Sequence, residues 1–116
     1  LSEERLIQIK ALCGPQWLEH PDCRGPVILS GDFNALPRSM VCRHIRQRLK
    51  DAQVGMEGHS PKATWFSQIP LGRIDHIFVS PEVEVVRVEV SSTDLEKKSS
   101  DHLPLIVDVR LPGLMA

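Results

Sequence analysis

The apolar positions of this 116-residue chain repeat with two different periods. From Ser2 to Cys13, Leu6, Ile9 and Cys13, with Ile7 and Leu12 beside them, recur at helical spacing. Ser2 stands where an N-cap belongs, and Glu3 and Glu4 suit the positive end of a helix dipole. The helix is expected to fade near Gly14-Pro15 or after Trp17-Leu18, with His20–Pro26 as loop. A second helix is expected over Arg38–Lys50, marked by Met40, Val41, Ile45 and Leu49. Between them, Val27–Ser30 is apolar without alternation, the pattern of a strand buried on both faces. Period two takes over later. In Arg73–Ser80, Ile74, His76 and Phe78 share one face, and Arg73, Asp75, Ile77 and Val79 the other. Val83–Val90 alternates as well, but its phase slips at Val85-Val86, which predicts a β-bulge. Ala63–Phe66 is expected as a short strand. Leu103, Leu105, Val107, Val109 and Leu111 line one face of a closing strand. Glu57–Ala63 and Ser92–Asp101 are expected as loops. The order is helix, strand, helix, then about four strands, with a single parallel crossover available. That predicts an α/β (α+β) architecture: one mixed, mostly antiparallel sheet with helices on one face.

Composition narrows the function classes. The length suits one domain with a real core. With 14 basic and 15 acidic residues the net charge is −1, so no strong non-specific nucleic-acid anchor is present. The basic run Arg43–Lys50 has the spacing of a solvated helix face. Cysteines number three, Cys13, Cys23 and Cys42, with no Cys-x-x-Cys pair; this argues against a disulfide framework and for a reducing, cytoplasmic setting. His20–Cys23 has no second cluster to complete a zinc site. No apolar run reaches the length of a membrane span and no signal peptide is visible, so no membrane partner is expected. The chain opens without methionine, which points to a processed product or a fragment.

Three polar clusters sit at strand ends. Asp32 and Asn34, two apart in an extended segment, project to one side and could hold a water and a phosphate oxygen; they are equally at home in a turn. Asp75 is a carboxylate among apolar strand residues, costly unless paired, with a histidine or a nearby arginine as partner. Asp101-His102 stands at the mouth of the last strand. A histidine there could transfer a proton or hold an anion, or could be an idle loop residue.

In this order, "GDFNA", "TW", "RIDHIF" and "SDHLPL" resemble the C-terminal half of the endonuclease/exonuclease/phosphatase superfamily. It includes exonuclease III-like repair enzymes, pancreatic deoxyribonuclease, sphingomyelinases and inositol polyphosphate 5-phosphatases. "RIDHIF" is a variant of the family's Arg-Ile-Asp-Tyr, and the resemblance runs from Leu1 almost to Leu111. It implies a Mg²⁺- or Mn²⁺-dependent phosphodiesterase or phosphatase, and a role for each matching position. Asp32 would orient or deprotonate the attacking water. Asn34 would hydrogen-bond the scissile phosphate. His102 would stabilise the developing charge, and Asp75 would accept from His102 and fix its tautomer. Asp101, with Asp32, would help hold the metal. Thr64 and Trp65 would lie near the substrate, although an aromatic packed in a strand needs no such role. Oxygen ligands of this kind suit a hard cation.

The family's N-terminal half carries an Asn on the first strand, a metal-binding Glu on the next, and an Asn-x-His motif. None of these is in this chain. The resemblance therefore implies that residues 1–116 are one half of a four-layer α/β-sandwich, with the N-terminal half of the same domain absent. Two expectations follow: weak or no activity alone, and an uncovered apolar sheet face that drives homo-oligomerisation. The substrate is left open among DNA, RNA and small phosphoesters. A non-catalytic assembly or binding fragment is the reading from another class.

Overall fold

The computed structural model describes residues 2–113. Helix α1 (Ser2–Leu12) already contains Ser2, so the cap position falls on Leu1, outside the described residues. It ends at the predicted place and leads through turns to strand β1 (Ile28–Asp32). Helix α2 (Met40–Ile45) is shorter than the expected Arg38–Lys50. Ser39 caps it by accepting from the Cys42 N–H. Past Ile45 the backbone tightens, with Arg48 N–H donating to Ile45 O, yet Leu49 still reaches the core at 4% exposure. Its apolar spacing was a property of the turn as well as of the helix. Strand β2 (Lys50–Asp51) follows, then a long irregular segment, then β3 (Asp75–Val79) and β4 (Glu84–Val90).

The irregular segment corrects one expectation: Ala63–Phe66 is not a regular strand. Trp65 alone forms bridges, to Gly72 and to His102. A second correction lies at Ser92–Asp101, where the expected loop contains helix α3 (Asp94–Ser99). A capping box starts it: Thr93 and Glu96 exchange bonds at the first turn. That Thr-x-x-Glu signal was in the sequence. No residue of α3 is buried, so no apolar stripe announced it. The chain closes with β5 (Leu105–Arg110), half-buried and exposed positions alternating as expected.

Strand pairing is antiparallel throughout the described residues, in two sheets rather than one continuous mixed sheet. One has the order β1-β3-β2; the other is the ribbon β4-β5. The register of the ribbon shifts between Val85 and Arg87, the bulge the phase slip predicted. Helices α1 and α2 cover one face of the three-stranded sheet. Their core joins Ile9, Val41, Cys42 and Ile45 to Leu49 and Phe78. Full burial of a side chain such as Phe78 or Ile45 contributes about 1.5–3 kcal/mol. A second cluster, Ala52, Val79 and Val83 with half-buried Ile77, Val85, Val107 and Val109, joins the ribbon to β3.

Strand β1 departs from its sequence pattern. Ile28 is 49% exposed and Ser30 is exposed, so the segment is not buried on both faces. It is an edge strand, paired only with β3 among the described residues, and α1 and α2 cover one face alone. No helix of the described residues is long and apolar enough to cross a membrane. All three cysteines are free, and Cys13 and Cys42 are buried.

Candidate active site

The three polar clusters meet at one end of the three-stranded sheet. Register does the first part of the work: Asp32, last residue of β1, is the partner of Asp75, first residue of β3. The second part comes from the Trp65–His102 bridge, which brings the mouth of β5 against the same strand ends. Leu103 N–H donates to Thr64 O at 2.7 Å, and Ser67 N–H to Asp101 O at 2.7 Å. Residues 64–67 thus run as a splint along residues 101–103.

His102 Nδ1 lies 2.7 Å from Asp75 Oδ2. A carboxylate can only accept, so Nδ1 carries the proton and the tautomer is fixed. Thr64 Oγ1 donates to the same oxygen at 2.6 Å. The cost of a carboxylate in an apolar strand is thereby met by two donors. Arg73, the alternative partner, is engaged elsewhere: it pairs with buried Asp51 at 2.7 Å. On the far side of the ring, His102 Nε2 lies 3.7 Å from Asp32 Oδ2 and 3.9 Å from Asp101 Oδ1. The hydrogen bond to Asp75 raises the pKa of His102 above the ordinary histidine value. Partial desolvation opposes this, and the charges of Asp75, Asp32 and Asp101 add to it.

The question of turn or site at Asp32/Asn34 is answered with both. Asp32 Oδ1 accepts from the Asn34 backbone N–H at 2.8 Å, an Asx turn. Asn34 has φ +46°, a left-handed conformation that asparagine tolerates better than most residues. The turn leaves Asn34 exposed beside the Asp32 carboxylate. Thr64 stands differently from its expected place near the substrate. It is fully buried behind Asp75, with its hydroxyl committed to that carboxylate, so it supports the site instead of lining it. Trp65 is half-buried beside His102, its ring stacked on that of Phe66.

One residue escaped the sequence reading. His76, next to Asp75, turns to the opposite face and is 1% exposed between Phe33 and Phe78. Burial holds its pKa below the ordinary value, so the ring is neutral and its Nε2 donates to Ala35 O at 2.7 Å. It ties down the residue after Asn34. Its only signal was a histidine at an apolar position of an alternating strand.

An open cleft of about 320 Å³ runs from Asp32 and Asp75 past Ser30 and Ile77 to Leu105, on the sheet face away from α1 and α2. A cavity of about 450 Å³ between Leu12, Trp17 and Leu29 is apolar and contains none of the candidate site residues. Asp32, Asp75 and His102 each offer one ligand atom within 4.8 Å of the others, a group that could hold a metal ion.

An α+β scaffold whose strand ends gather carboxylates around one histidine is a scaffold for hydrolytic chemistry. The chain belongs to the endonuclease/exonuclease/phosphatase family, whose model matches residues 7–102. No curated protein matches it. Among solved structures it is similar to a conserved protein of unknown function from Enterococcus faecalis, with TM-score 0.80, 23% identity, and coverage of 96% of this chain and 46% of that one. It is also similar to an endonuclease/exonuclease/phosphatase protein from Bacteroides vulgatus, with TM-score 0.78, 28% identity, and coverage of 95% and 45%. A third is a mannosyl-6-phosphatase from Bacteroides thetaiotaomicron, with TM-score 0.63, 24% identity, and coverage of 95% and 44%. The chain therefore spans less than half the length of these structures.

Proposed function

We propose that this chain is the C-terminal half of a metal-dependent phosphoester hydrolase domain, the N-terminal half being its first partner. The observation that carries this reading is the line Thr64–Asp75–His102, whose free Nε2 faces Asp32 and Asp101. A histidine held in one tautomer and biased toward its cationic form suits an anionic phosphoryl transition state. Asp32, at the other side of the cleft, orients or deprotonates the attacking water. Asn34, exposed on its left-handed turn, donates its amide to a phosphate oxygen. Asp75 holds His102 and does not itself touch the substrate.

The donor set fits a hard divalent cation, Mg²⁺ or Mn²⁺. The Asp32 and Asp101 side chains are 50% and 71% exposed, offer only oxygen, and have no Lys or Arg ion-pair partner among the described residues. Asp101 and Asp32 would hold it, and when bound it would neutralise charge on the phosphate oxygens. The substrate class is a phosphoester: DNA, RNA or a small molecule. The net charge of −1 supplies little general grip on a polyanion, and free cysteines suit a reducing cytoplasm.

The test uses the full-length protein that carries this chain, with Mg²⁺ or Mn²⁺. The panel is plain DNA, abasic DNA, inositol phosphates, sugar phosphates and bis-p-nitrophenyl phosphate. Metal-dependent turnover that falls at least a hundredfold in Asp32→Ala and His102→Ala is the expected result. Turnover indifferent to both substitutions would overturn the mechanism. The second reading, a non-catalytic binding or assembly fragment, is favoured by the coverage of less than half of each matched structure. It predicts no turnover with any member of the panel.

A further inference from the structure

From the loop that carries Asp101 and His102, we infer that Ser67 is a positioning residue for the site, its buried hydroxyl serving as the clasp that fixes this loop. The inference rests on the phosphohydrolase reading above and adds a residue that no motif of the sequence singled out.

Helix α3 supplies no anchorage of its own. It has six residues, none buried, and its large apolar residue Leu95 is 75% exposed. A helix end also leaves carbonyls without intrahelical partners. Asp101 follows directly, with a 71% exposed side chain, so its orientation comes from its backbone. What holds that backbone is Ser67, only 2% exposed. Its Oγ lies 2.6 Å from Ser100 O and 3.1 Å from Lys97 O. Its N–H donates to Asp101 O at 2.7 Å. The hydroxyl has one proton, which serves the nearer Ser100 carbonyl best. The second acceptor, Lys97 O, is also met by Gln68 Nε2 at 2.7 Å. Ser67 therefore binds the loop on both sides of the Ser100–Asp101 peptide, immediately before His102. Removing its hydroxyl leaves the Ser100 carbonyl without this donor and the loop free to shift. Displacements of about 1 Å in groups that must meet a substrate can cost about a hundredfold in rate.

The test compares Ser67→Ala, Ser67→Thr and His102→Ala in the full-length protein, on whichever panel substrate is turned over. Ser67→Ala is expected to lower kcat by about ten- to a hundredfold with KM within about threefold of wild type. It should also raise the metal concentration for half-maximal activity and accelerate amide hydrogen exchange at residues 97–103. Ser67→Thr, which keeps the hydroxyl, is expected to restore most of kcat. Ser67→Cys, nearly isosteric but a weaker donor, replaces Ser67→Ala if the latter does not fold, with a smaller change in the same direction. If His102→Ala abolishes turnover while the Ser67 hydroxyl variants match wild type in kcat and exchange, the clasp is refuted and the parent reading stands. If His102→Ala is fully active, the parent reading fails. Accelerated exchange at residues 97–103 would still support the clasp as a loop anchor, and unchanged exchange would overturn it too.

Discussion

Asp75→Asn is the sharpest perturbation of this site, because it changes charge and almost nothing else. The wild-type carboxylate takes two donors on one oxygen, Thr64 Oγ1 at 2.6 Å and His102 Nδ1 at 2.7 Å. Asparagine can still present a carbonyl oxygen there, so packing and one or both contacts survive. The charge assistance does not. Hydrogen bonds to a charged group contribute about 1.5–3 kcal/mol against about 1 kcal/mol for neutral pairs. Added to the lost attraction for a cationic ring, the deficit at the transition state is about 2–3 kcal/mol, or about 30- to 150-fold in kcat. The pH dependence has a definite sign. The folded pKa of His102 lies above the unfolded value, chiefly through the Asp75 bond. The ion pair therefore stabilises the fold fully below the unfolded value, near pH ~6.5, and loses that contribution as pH rises through the raised folded value. The stability gap between wild type and Asp75→Asn should thus be wider at about pH 5.5 than well above the folded pKa. NMR titration of the His102 ring, with metal chelated, reads the pKa directly. Equilibrium unfolding at the two pH values reads the linkage. A His102 pKa unchanged in Asp75→Asn, or a gap that widens with pH, would refute the reasoning.

Asn34 separates backbone from chemistry: at φ +46°, Asn34→Gly should hold stability within about 0.5 kcal/mol while lowering kcat, whereas Asn34→Ala should cost about 1–2 kcal/mol as well. Urea denaturation beside kinetics distinguishes the two, and full activity in Asn34→Gly would remove the amide from the mechanism. Asp51→Ala strands the Arg73 guanidinium, 13% exposed, and should cost about 3–5 kcal/mol, seen as a large drop in Tm. The chain expressed by itself should self-associate through the face bearing Ile77, Val107 and exposed Ile28; sedimentation as a dilute monomer would contradict this.

Local pattern was legible wherever one residue's neighbours in sequence decided its fate. The alternation of Ile74, His76 and Phe78 gave the buried face of β3, and the slip at Val85-Val86 gave the bulge. Asp32, Asn34, Asp75, Asp101 and His102 could be named before any coordinates, since each stands at a strand end in a chemically suggestive type. Helix α3 was legible in principle through Thr93 and Glu96, but it buries nothing, and amphipathic period is what a pattern reading detects.

Long-range matters were settled only by folding. Which partner Asp75 takes was open between arginine and histidine. Tertiary placement sent Arg73 to Asp51, 22 positions away, and His102 to Asp75, 27 positions away. The same holds for Thr64, which changed from a substrate contact to a buried support, and for Ser67, which the sequence does not distinguish from any loop serine. The exposure of Val27–Ser30 belongs here too: an apolar run specifies that burial is favourable, and the number of elements available to cover it decides how much occurs. The sequence by itself determined the element types and the chemical inventory, because dihedral preference and period are local. The tertiary structure decided pairing and burial, because a hydrogen bond or an apolar contact depends on distance in space, which sequence separation does not measure.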